Sequence, residues 1–288
     1  MASTSEIVTG AKQFNERSHQ YERGSGGCTM EVAVRLASLC GAITKDSYIL
    51  DCAAGPGTVI DALLSSKDTG ADATLARYAV VEPAPGMVEI VEHKIAENWG
   101  ISPANITTYT KSAEEMGSLG ISPGTISHAF SNFGFMFFSD AEEASRIIHR
   151  LLKPGGMAFI TTFRHVGYMP PMRKACQQIR PGEEPFKLRF SDSWYDASHL
   201  ERIVQSAGFE VKMEAMECHM NLESAEMAAK SIAKNFAIAS KEKEWTDAEF
   251  EALPQALETA LTEDTENVRI DDDSIHIKMI ADIAICKK

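Results

Sequence analysis

The stretch YILDCAAGPGT, residues 48–58, is the part of the sequence that decides the fold. It predicts a short buried strand and a tight glycine turn, and the apolar residues over 59–64 predict a helix after them. Gly55 and Gly57 can adopt backbone conformations that other residues avoid, so a ligand can approach the main chain closely. Asp51 stands where the strand ends. In an open α/β sheet, ligands bind beyond the carboxyl ends of the strands, so the stretch predicts a ligand site at this turn.

The turn departs from a dinucleotide-binding fingerprint at two positions. That fingerprint has a third glycine three residues after the second, for close helix–strand packing, and Ile60 stands there instead. A pyrophosphate also needs free backbone N–H groups at the start of the helix, and Pro56 removes one of them. We therefore expect an adenosine ligand without phosphates rather than NAD. An ordinary strand–helix turn without a ligand is the alternative.

A second acidic residue ends the next predicted strand. Residues 78–82 form an apolar run that finishes in Glu82. Acidic residues at the equivalent strand end of nucleotide-binding folds accept hydrogen bonds from the ribose. We therefore expect Glu82 to bind both ribose hydroxyls of the ligand.

Four sequence blocks in a fixed order extend this pattern. They are ILD with AGPG over 49–57, VEPAPGM over 81–87, SNFG over 131–134 and RLLKPGG over 150–156. In these blocks the sequence resembles the class I S-adenosylmethionine-dependent methyltransferases, especially small-molecule members that methylate ubiquinone and menaquinone precursors. The resemblance covers roughly residues 14–163 and implies S-adenosylmethionine as the cofactor. It also implies an α/β fold: a Rossmann-like seven-stranded methyltransferase sheet with helices on both faces and a helical and loop cover over the substrate.

The resemblance further implies which residues surround the cofactor. They are Tyr21, Asp51, Ala53, Gly55, Gly57, Glu82, Pro83, Met87, Ser112, Ala113, Asn132 and Phe133. The family usually has an aspartate where Ser112 stands, and it binds the adenine amino group. Here the Ser112 hydroxyl or the Ala113 backbone could supply that contact, and Glu114 competes for it. Tyr21 belongs to a predicted helix over 11–23, which either closes over the cofactor or only packs on the sheet.

A fourth strand is predicted over 125–131, and its end is expected to face the reacting end of the cofactor. Asn132 has polar groups for the methionine portion, and Phe133 could attract the sulfonium through its ring face. The apolar run that follows over 135–138 is either core or the lining of an apolar substrate pocket.

His165 is the candidate catalytic base, because it follows the fifth strand, predicted over 157–163, at the rim of the crevice. A loop histidine without a chemical role is the alternative. His128 lies inside a predicted strand, which favours a structural role. The sequence contains no spacing typical of a metal site, and we expect no metal.

Composition excludes several classes of function. The formal net charge of −13 argues against nucleic-acid partners and anionic membrane surfaces, since phosphate backbones attract clustered Lys and Arg. No apolar run reaches the 18 to 20 residues, approximately, of a membrane span, and the first residues lack signal-peptide features, so we expect a cytoplasmic protein. The six scattered cysteines form no C-x-x-C pair, which favours reduced thiols. A homodimer is compatible with the sequence.

The chain divides into a core and predicted cover segments. We expect a lid helix and flexible break over 1–27, a cofactor-binding core over 28–163, an inserted cover loop over 164–195, a core continuation over 196–221, a helical insertion over 222–263, and a last core strand over 264–288. The proline-rich loop over 164–195 fits no compact element. Long excursions of this kind are usually functional.

These observations predict an S-adenosylmethionine-dependent methyltransferase that modifies an O, N or C atom of a small, fairly apolar metabolite. The alternative is a protein of the same fold that binds the cofactor without methyl transfer, as a partner or regulatory subunit or as a non-methylating rearrangement enzyme. Gly55, Gly57 and Glu82 favour cofactor binding in either case. A fold does not decide between them.

Overall fold

The computed structural model describes residues 14–15, 18, 24–184, 186–240, 245–272 and 274–288, with the side chains of 235–240 left out. The helices in this part of the chain are Cys28–Leu39 (α1), Thr58–Ser65 (α2), Pro85–Glu97 (α3), Ala141–Leu151 (α4), Met169–Ile179 (α5), Ala197–Ser206 (α6), Ala225–Ser240 (α7) and Asp247–Glu263 (α8). The strands are Tyr48–Cys52 (β1), Arg77–Val81 (β2), Ile106–Tyr109 (β3), Ile126–Ser131 (β4), Leu152–Val166 (β5), Glu210–Leu222 (β6), Val268–Asp271 (β7) and Ser274–Lys287 (β8).

The strands form one sheet in the order β3-β2-β1-β4-β5-β8-β6, and β7 pairs with β8 outside this path. Strands β1 to β5 are parallel, while β8 runs antiparallel to both β5 and β6. This arrangement confirms the predicted Rossmann-like α/β sheet, and its last two long strands, β6 and β8, pair antiparallel. The short strand β7 was not predicted. Three of its four side chains are exposed, so it lacks an apolar alternation.

Helices cover both faces of the sheet because successive strand residues point to opposite sides. On one face Ile49 of β1 packs in a cluster with Ile60 of α2. On the other face Leu50 of β1 packs in a cluster with Ile148 of α4. All four side chains are at most 1% exposed, which places β1 at the centre of the core.

Three strands extend beyond the carboxyl edge of the sheet. The pairing of β4 with β5 ends at Ser131 and Ile160, yet β5 continues along β8 to Val166. Strand β6 pairs with β8 as far as Leu222. Helices α5, α7 and α8 pack around this extension, and Leu253 of α8 shares its buried cluster. This extension lies on the side of the sheet where ligands bind in such folds.

The expectation of a loop without compact elements over 164–195 was wrong. β5 continues to Val166, and α5 follows with prolines in its first turn. Proline is tolerated there because the N–H groups of the first turn have no intrahelical partner.

The predicted helical insertion contains α7 and α8, and the division into core and cover remains a prediction. Within the described residues, no helix has the length and apolar character needed to cross a membrane.

Candidate functional site

The two glycines of the turn after β1 have different surroundings. Both have positive φ, +55° for Gly55 and +85° for Gly57. A Cβ atom added to Gly55 would meet nothing within 4 Å, so this position borders open space. A Cβ atom on Gly57 would lie 2.6 Å from Cη2 of Trp99. Gly55 therefore leaves room for a ligand, whereas Gly57 leaves room for the Trp99 ring.

The Trp99 contact belongs to a network behind the turn, which sequence reasoning missed. The indole Nε1 of Trp99 donates to Oδ1 of Asp61 at 2.6 Å, and Nζ of Lys94 lies 2.7 Å from Oδ2. Asp61 lies in the first turn of α2, while Lys94 is in α3. The network ties the start of α2 to the end of α3. A tryptophan just beyond the end of a helix gives no sequence signal for such a contact.

Glu82 holds the glycine turn. Its side chain is 5% exposed, and its two carboxylate oxygens accept hydrogen bonds from the N–H groups of Gly55 and Ala84, each at 2.9 Å. A carboxylate oxygen can accept two hydrogen bonds, so each keeps capacity for a ligand hydroxyl. Burial raises the pKa of Glu82, and the two backbone hydrogen bonds oppose this effect.

Asp51 is a buried carboxylate that lacks a partner within the described chain. It is 1% exposed, and neither oxygen has a hydrogen-bond partner there. Asp51 pairs in register with Val80, so Glu82 follows two residues later on the same face of the sheet. Burial raises the pKa of Asp51 to about 8, and the charges of Glu82 and Asp61 add to this rise. A buried carboxyl group with no partner and a raised pKa is suited to a ligand that brings a positive charge or a hydrogen-bond donor.

The rim after β4 is clamped to its neighbours. Asn132 donates through Nδ2 to the carbonyl of Thr29 and accepts from the hydroxyl of Thr161, both at 2.9 Å. The N–H of Phe133 donates to the same hydroxyl at 2.9 Å. Both the amide nitrogen and the amide oxygen of Asn132 are thus hydrogen-bonded within the protein. A contact with the methionine portion of the cofactor, as predicted, would share these groups.

One residue just after β1 and one just after β4 have strained backbones. Ala53 and Phe133 have φ values of +56° and +58°, which non-glycine residues adopt rarely. A Cβ atom on Gly134 would lie 2.6 Å from Cβ of Ala53, so the rims of β1 and β4 touch. The ring of Phe133 stacks on Phe163 at 4.1 Å between centroids. Such strain clusters at functional sites.

The predicted adenine contacts lie at the start of the 3₁₀ helix Ala113–Ser118. The N–H of Ser112 donates to the carboxylate of Glu115 at 2.9 Å, and Ala113 is buried. Glu114 accepts hydrogen bonds from the N–H and the hydroxyl of Ser139, at 2.8 and 2.7 Å. Glu114 is thus held by the chain just before α4. The Ser112 hydroxyl takes part in the capping box of the 3₁₀ helix, so the predicted adenine contact of Ser112 would share that hydroxyl.

The first turn of α3 contacts the N-terminal segment. Met87 lies in the first turn of α3 and is 1% exposed, and Pro83 precedes this helix by two residues. The N–H of Gly86 donates to Oδ1 of Asn15 at 2.6 Å, and a Cβ atom on Gly86 would lie 2.8 Å from Oγ of Ser18. Described residues of the N-terminal segment therefore lie on this turn. Tyr21 lies outside the described residues.

The break over 24–27 is packed rather than open. The carbonyl of Gly26 accepts from the N–H of Asn221 at 2.8 Å, and a Cβ atom on Gly26 would lie 2.7 Å from that same nitrogen. The end of β6 therefore fixes the chain just before α1.

His165 is oriented by a chain of polar groups. A bulge in β5 lies between Phe163 and His165. The Nε2 atom of His165 lies 2.7 Å from Oδ1 of Asn267, whose Nδ2 donates to the Asp264 carboxylate. Because an ionised carboxylate only accepts, the amide oxygen of Asn267 faces the histidine, and Nε2 carries the hydrogen. Nδ1 of His165 would then be the basic atom, and its catalytic role remains a prediction.

The apolar run after β4 divides into two parts. Phe135 and Met136 are buried in the core, whereas Phe137 is 41% exposed. The ring of Phe137 makes edge-to-face contacts with the rings of Phe14 and Phe190, at 5.3 and 5.7 Å between ring centroids. The ring of Phe190 also contacts that of Tyr195, at 5.4 Å between centroids. We call Phe14, Phe137, Phe190 and Tyr195 the aromatic bridge. It joins the N-terminal segment, the β4–α4 connection and the chain before α6.

Comparisons with known proteins agree with this architecture. The model of a family described as "Methyltransferase domain" matches residues 30–213. The chain is 23% identical to "Methyltransferase tpcH" of Aspergillus fumigatus over 75% of this chain and 74% of that protein. It is similar to a phosphoethanolamine N-methyltransferase 2 of Haemonchus contortus, with a TM-score of 0.50 and 16% identity. That alignment covers 89% of this chain and only 52% of the Haemonchus contortus protein.

A further structure with the same fold is the [4+2]-cyclase SpnF, with a TM-score of 0.52 and 16% identity over 88% of this chain and 79% of that one. The two structural likenesses support the fold alone. The family model covers more than half of the chain. The chain therefore belongs to the methyltransferase domain family, which confirms its resemblance to the class I S-adenosylmethionine-dependent methyltransferases and, at the level of the family, the expected enzyme class and cofactor.

Proposed function

We propose that the protein transfers the methyl group of S-adenosylmethionine to an O, N or C atom of a small, fairly apolar metabolite. The observation that carries this proposal is the pair of buried carboxylates beside the open side of Gly55. Asp51 has two oxygens without a described partner, and Glu82 has spare acceptor capacity.

The residues at the turn fit this cofactor by their chemistry. Glu82 would accept hydrogen bonds from the ribose hydroxyls, and Asp51 would face the ammonium group of the methionine portion. The stacked rings of Phe133 and Phe163 would lie near the sulfonium, where cation–π attraction contributes about 0.5 to 2 kcal/mol. The pyrophosphate of NAD would instead meet two buried carboxylates and the missing N–H of Pro56.

The bound cofactor supplies an electrophilic methyl group. The protein has to align the acceptor and exclude water, and orientation of this kind supplies roughly 7 to 11 kcal/mol. The aromatic bridge supports both tasks, because it joins three chain segments beside the β4 rim and offers apolar surface to an acceptor. Phe137 is the exposed member of this surface.

The names of related proteins also support the proposal. The Haemonchus contortus structure is described as a complex with phosphomonomethylethanolamine and S-adenosylhomocysteine, and the Aspergillus fumigatus relative is named a methyltransferase. The second candidate is cofactor binding without methyl transfer. The likeness to a [4+2]-cyclase supports it weakly, because that likeness extends only to the fold.

Incubation with S-adenosylmethionine labelled in the methyl group and a metabolite extract separates the two candidates. A methyltransferase should form labelled products that disappear with the Glu82→Ala variant. Binding of the labelled cofactor without any labelled product would favour the second candidate. The absence of binding would contradict both.

A further inference from the structure

The turn after β1 is fixed at both ends. The N–H of Gly55 donates to the carboxylate of Glu82 at 2.9 Å. At the other end of the turn, the ring of Trp99 occupies the space where a side chain of residue 57 would lie, since a Cβ atom on Gly57 would be 2.6 Å from Cη2 and 2.8 Å from Cζ2. The turn therefore cannot move toward the chain after α3 without colliding with this ring.

The contacts of Trp99 fix the orientation of its ring. Trp99 is 5% exposed, and its Nε1 donates to Oδ1 of Asp61 at 2.6 Å. The Nζ atom of Lys94 lies 2.7 Å from the other carboxylate oxygen of Asp61. The backbone N–H of Asp61 donates to the carbonyl of Gly57 at 3.0 Å. The residue that orients the ring is thus itself hydrogen-bonded to the glycine that the ring contacts.

Helix α3 connects these contacts to Glu82. The carboxylate of Glu82 also accepts a hydrogen bond from the N–H of Ala84, which directly precedes α3. The same helix ends at Glu97, two residues before Trp99. One end of α3 is thus connected to the turn through Glu82, and the other end through Trp99.

We propose that Trp99 is a positioning residue for the cofactor, which holds the turn in its binding conformation by filling the space behind Gly57, and that Asp61 orients its ring. This inference rests on the proposed function, which places S-adenosylmethionine at Gly55 and Glu82. Trp99 acts through Gly57 rather than by contact with the cofactor. A turn that is already in its bound conformation costs less ordering on binding, so loss of the Trp99 contact lowers the affinity of the folded protein. A tryptophan that only stabilised the fold would leave this affinity unchanged.

A double-variant cycle measured by calorimetry with S-adenosylhomocysteine tests the proposal. Trp99→Phe has a shorter ring system and lacks the N–H group that binds Asp61, so its affinity should fall about tenfold. Gly57→Ala should also lose affinity, because its Cβ atom collides with the indole ring. In Gly57→Ala/Trp99→Phe the shorter ring leaves room for the added methyl group. The double variant should therefore bind roughly threefold or more tightly than Gly57→Ala alone, a recovery that independent losses of stability do not produce.

The control is Phe209→Leu, which alters another aromatic residue that is 5% exposed and that contacts the ring of His149, away from the turn. It should lose stability and keep the wild-type affinity. If Trp99→Phe does not fold, Asp61→Ala remains informative, since its side chain is 24% exposed and its loss should reduce the affinity severalfold. Wild-type affinity in Trp99→Phe or in Asp61→Ala, or a double variant no better than Gly57→Ala, would overturn this inference. Failure of the wild-type protein to bind S-adenosylhomocysteine would instead contradict the proposed function.

Discussion

The carboxylate of Glu82, at the end of β2, accepts a hydrogen bond from the backbone N–H of Gly55 at 2.9 Å, in the turn after β1. The acid that would bind the ribose therefore also fixes the turn that makes room for the ligand. This double role joins cofactor affinity to the conformation of the turn.

Replacement of Glu82 by alanine should weaken cofactor binding. Hydrogen bonds to a charged group contribute about 1.5 to 3 kcal/mol, which corresponds to a loss of about 10- to 150-fold in affinity. Calorimetry with S-adenosylhomocysteine measures this loss. Glu97→Ala, at an exposed position at the end of α3, serves as the control and should bind normally. Unchanged affinity in Glu82→Ala would rule out the proposed ribose contact.

The two glycines of the turn should respond differently to substitution. Gly55→Val should abolish cofactor binding with a modest loss of stability, about 1 to 2 kcal/mol for positive φ, since its side chain enters open space. Gly57→Ala should lose about 1 to 3 kcal/mol more, because its Cβ atom collides with Trp99. Urea unfolding and calorimetry on both variants measure the two effects. Equal stabilities and equal affinities would show that the glycines share one role.

Asp51 should make stability and binding depend on pH. Its pKa is raised by burial from an ordinary 3.8 to about 8, so between these values the folded protein binds more protons than the unfolded chain. The free energy of unfolding of the cofactor-free protein should therefore fall as pH rises from about 4 to 8. Cofactor binding should strengthen over the same range, because a cationic ligand favours the ionised carboxylate.

The Asp51→Asn variant isolates this contribution. Urea unfolding at pH 5 and pH 8 should show a smaller fall in stability for the variant than for the wild type. The affinity for S-adenosylhomocysteine should also change less with pH. Identical pH profiles for the two proteins would assign the dependence to other groups.

The proposed cover should become less mobile when the cofactor binds. S-adenosylhomocysteine should slow hydrogen exchange over 164–195 and over 222–261, as well as at Gly55 and Glu82, because closure of the cover excludes water. Phe137→Ala, which removes the central ring of the aromatic bridge, should reduce protection over 164–195 without affecting the turn. If S-adenosylhomocysteine slowed hydrogen exchange only at the turn, the segments over 164–195 and 222–261 would serve the stability or the assembly of the protein instead of covering the site.

The sequence was sufficient where local patterns and strand order carry the information. The apolar strand before Asp51, the two glycines and the acid at Glu82 predicted the site, since parallel strands bring their carboxyl ends to one edge. The apolar periodicity over 29–40 and over 140–152 predicts two helices, and α1 and α4 begin and end within one residue of these bounds.

Other features depend on contacts between distant parts of the chain. Nothing local indicates that Gly57 faces Trp99, or that Thr161 binds both Asn132 and Phe133. The sequence over 208–211 predicts only a short sixth strand, whereas β6 extends over Glu210–Leu222, because most of its side chains are exposed or half-buried and give no apolar signal. The orientation of His165 follows from a bulge and from its hydrogen bond with Asn267, which a strand pattern does not reveal.

The most direct test of the central claim compares two ligands on the wild-type protein by calorimetry. If Asp51, Glu82 and Gly55 form the cofactor site, the protein should bind S-adenosylhomocysteine with a stoichiometry near one. It should show no measurable binding of NAD. Tight binding of NAD, or no binding of S-adenosylhomocysteine, would contradict the proposed cofactor site.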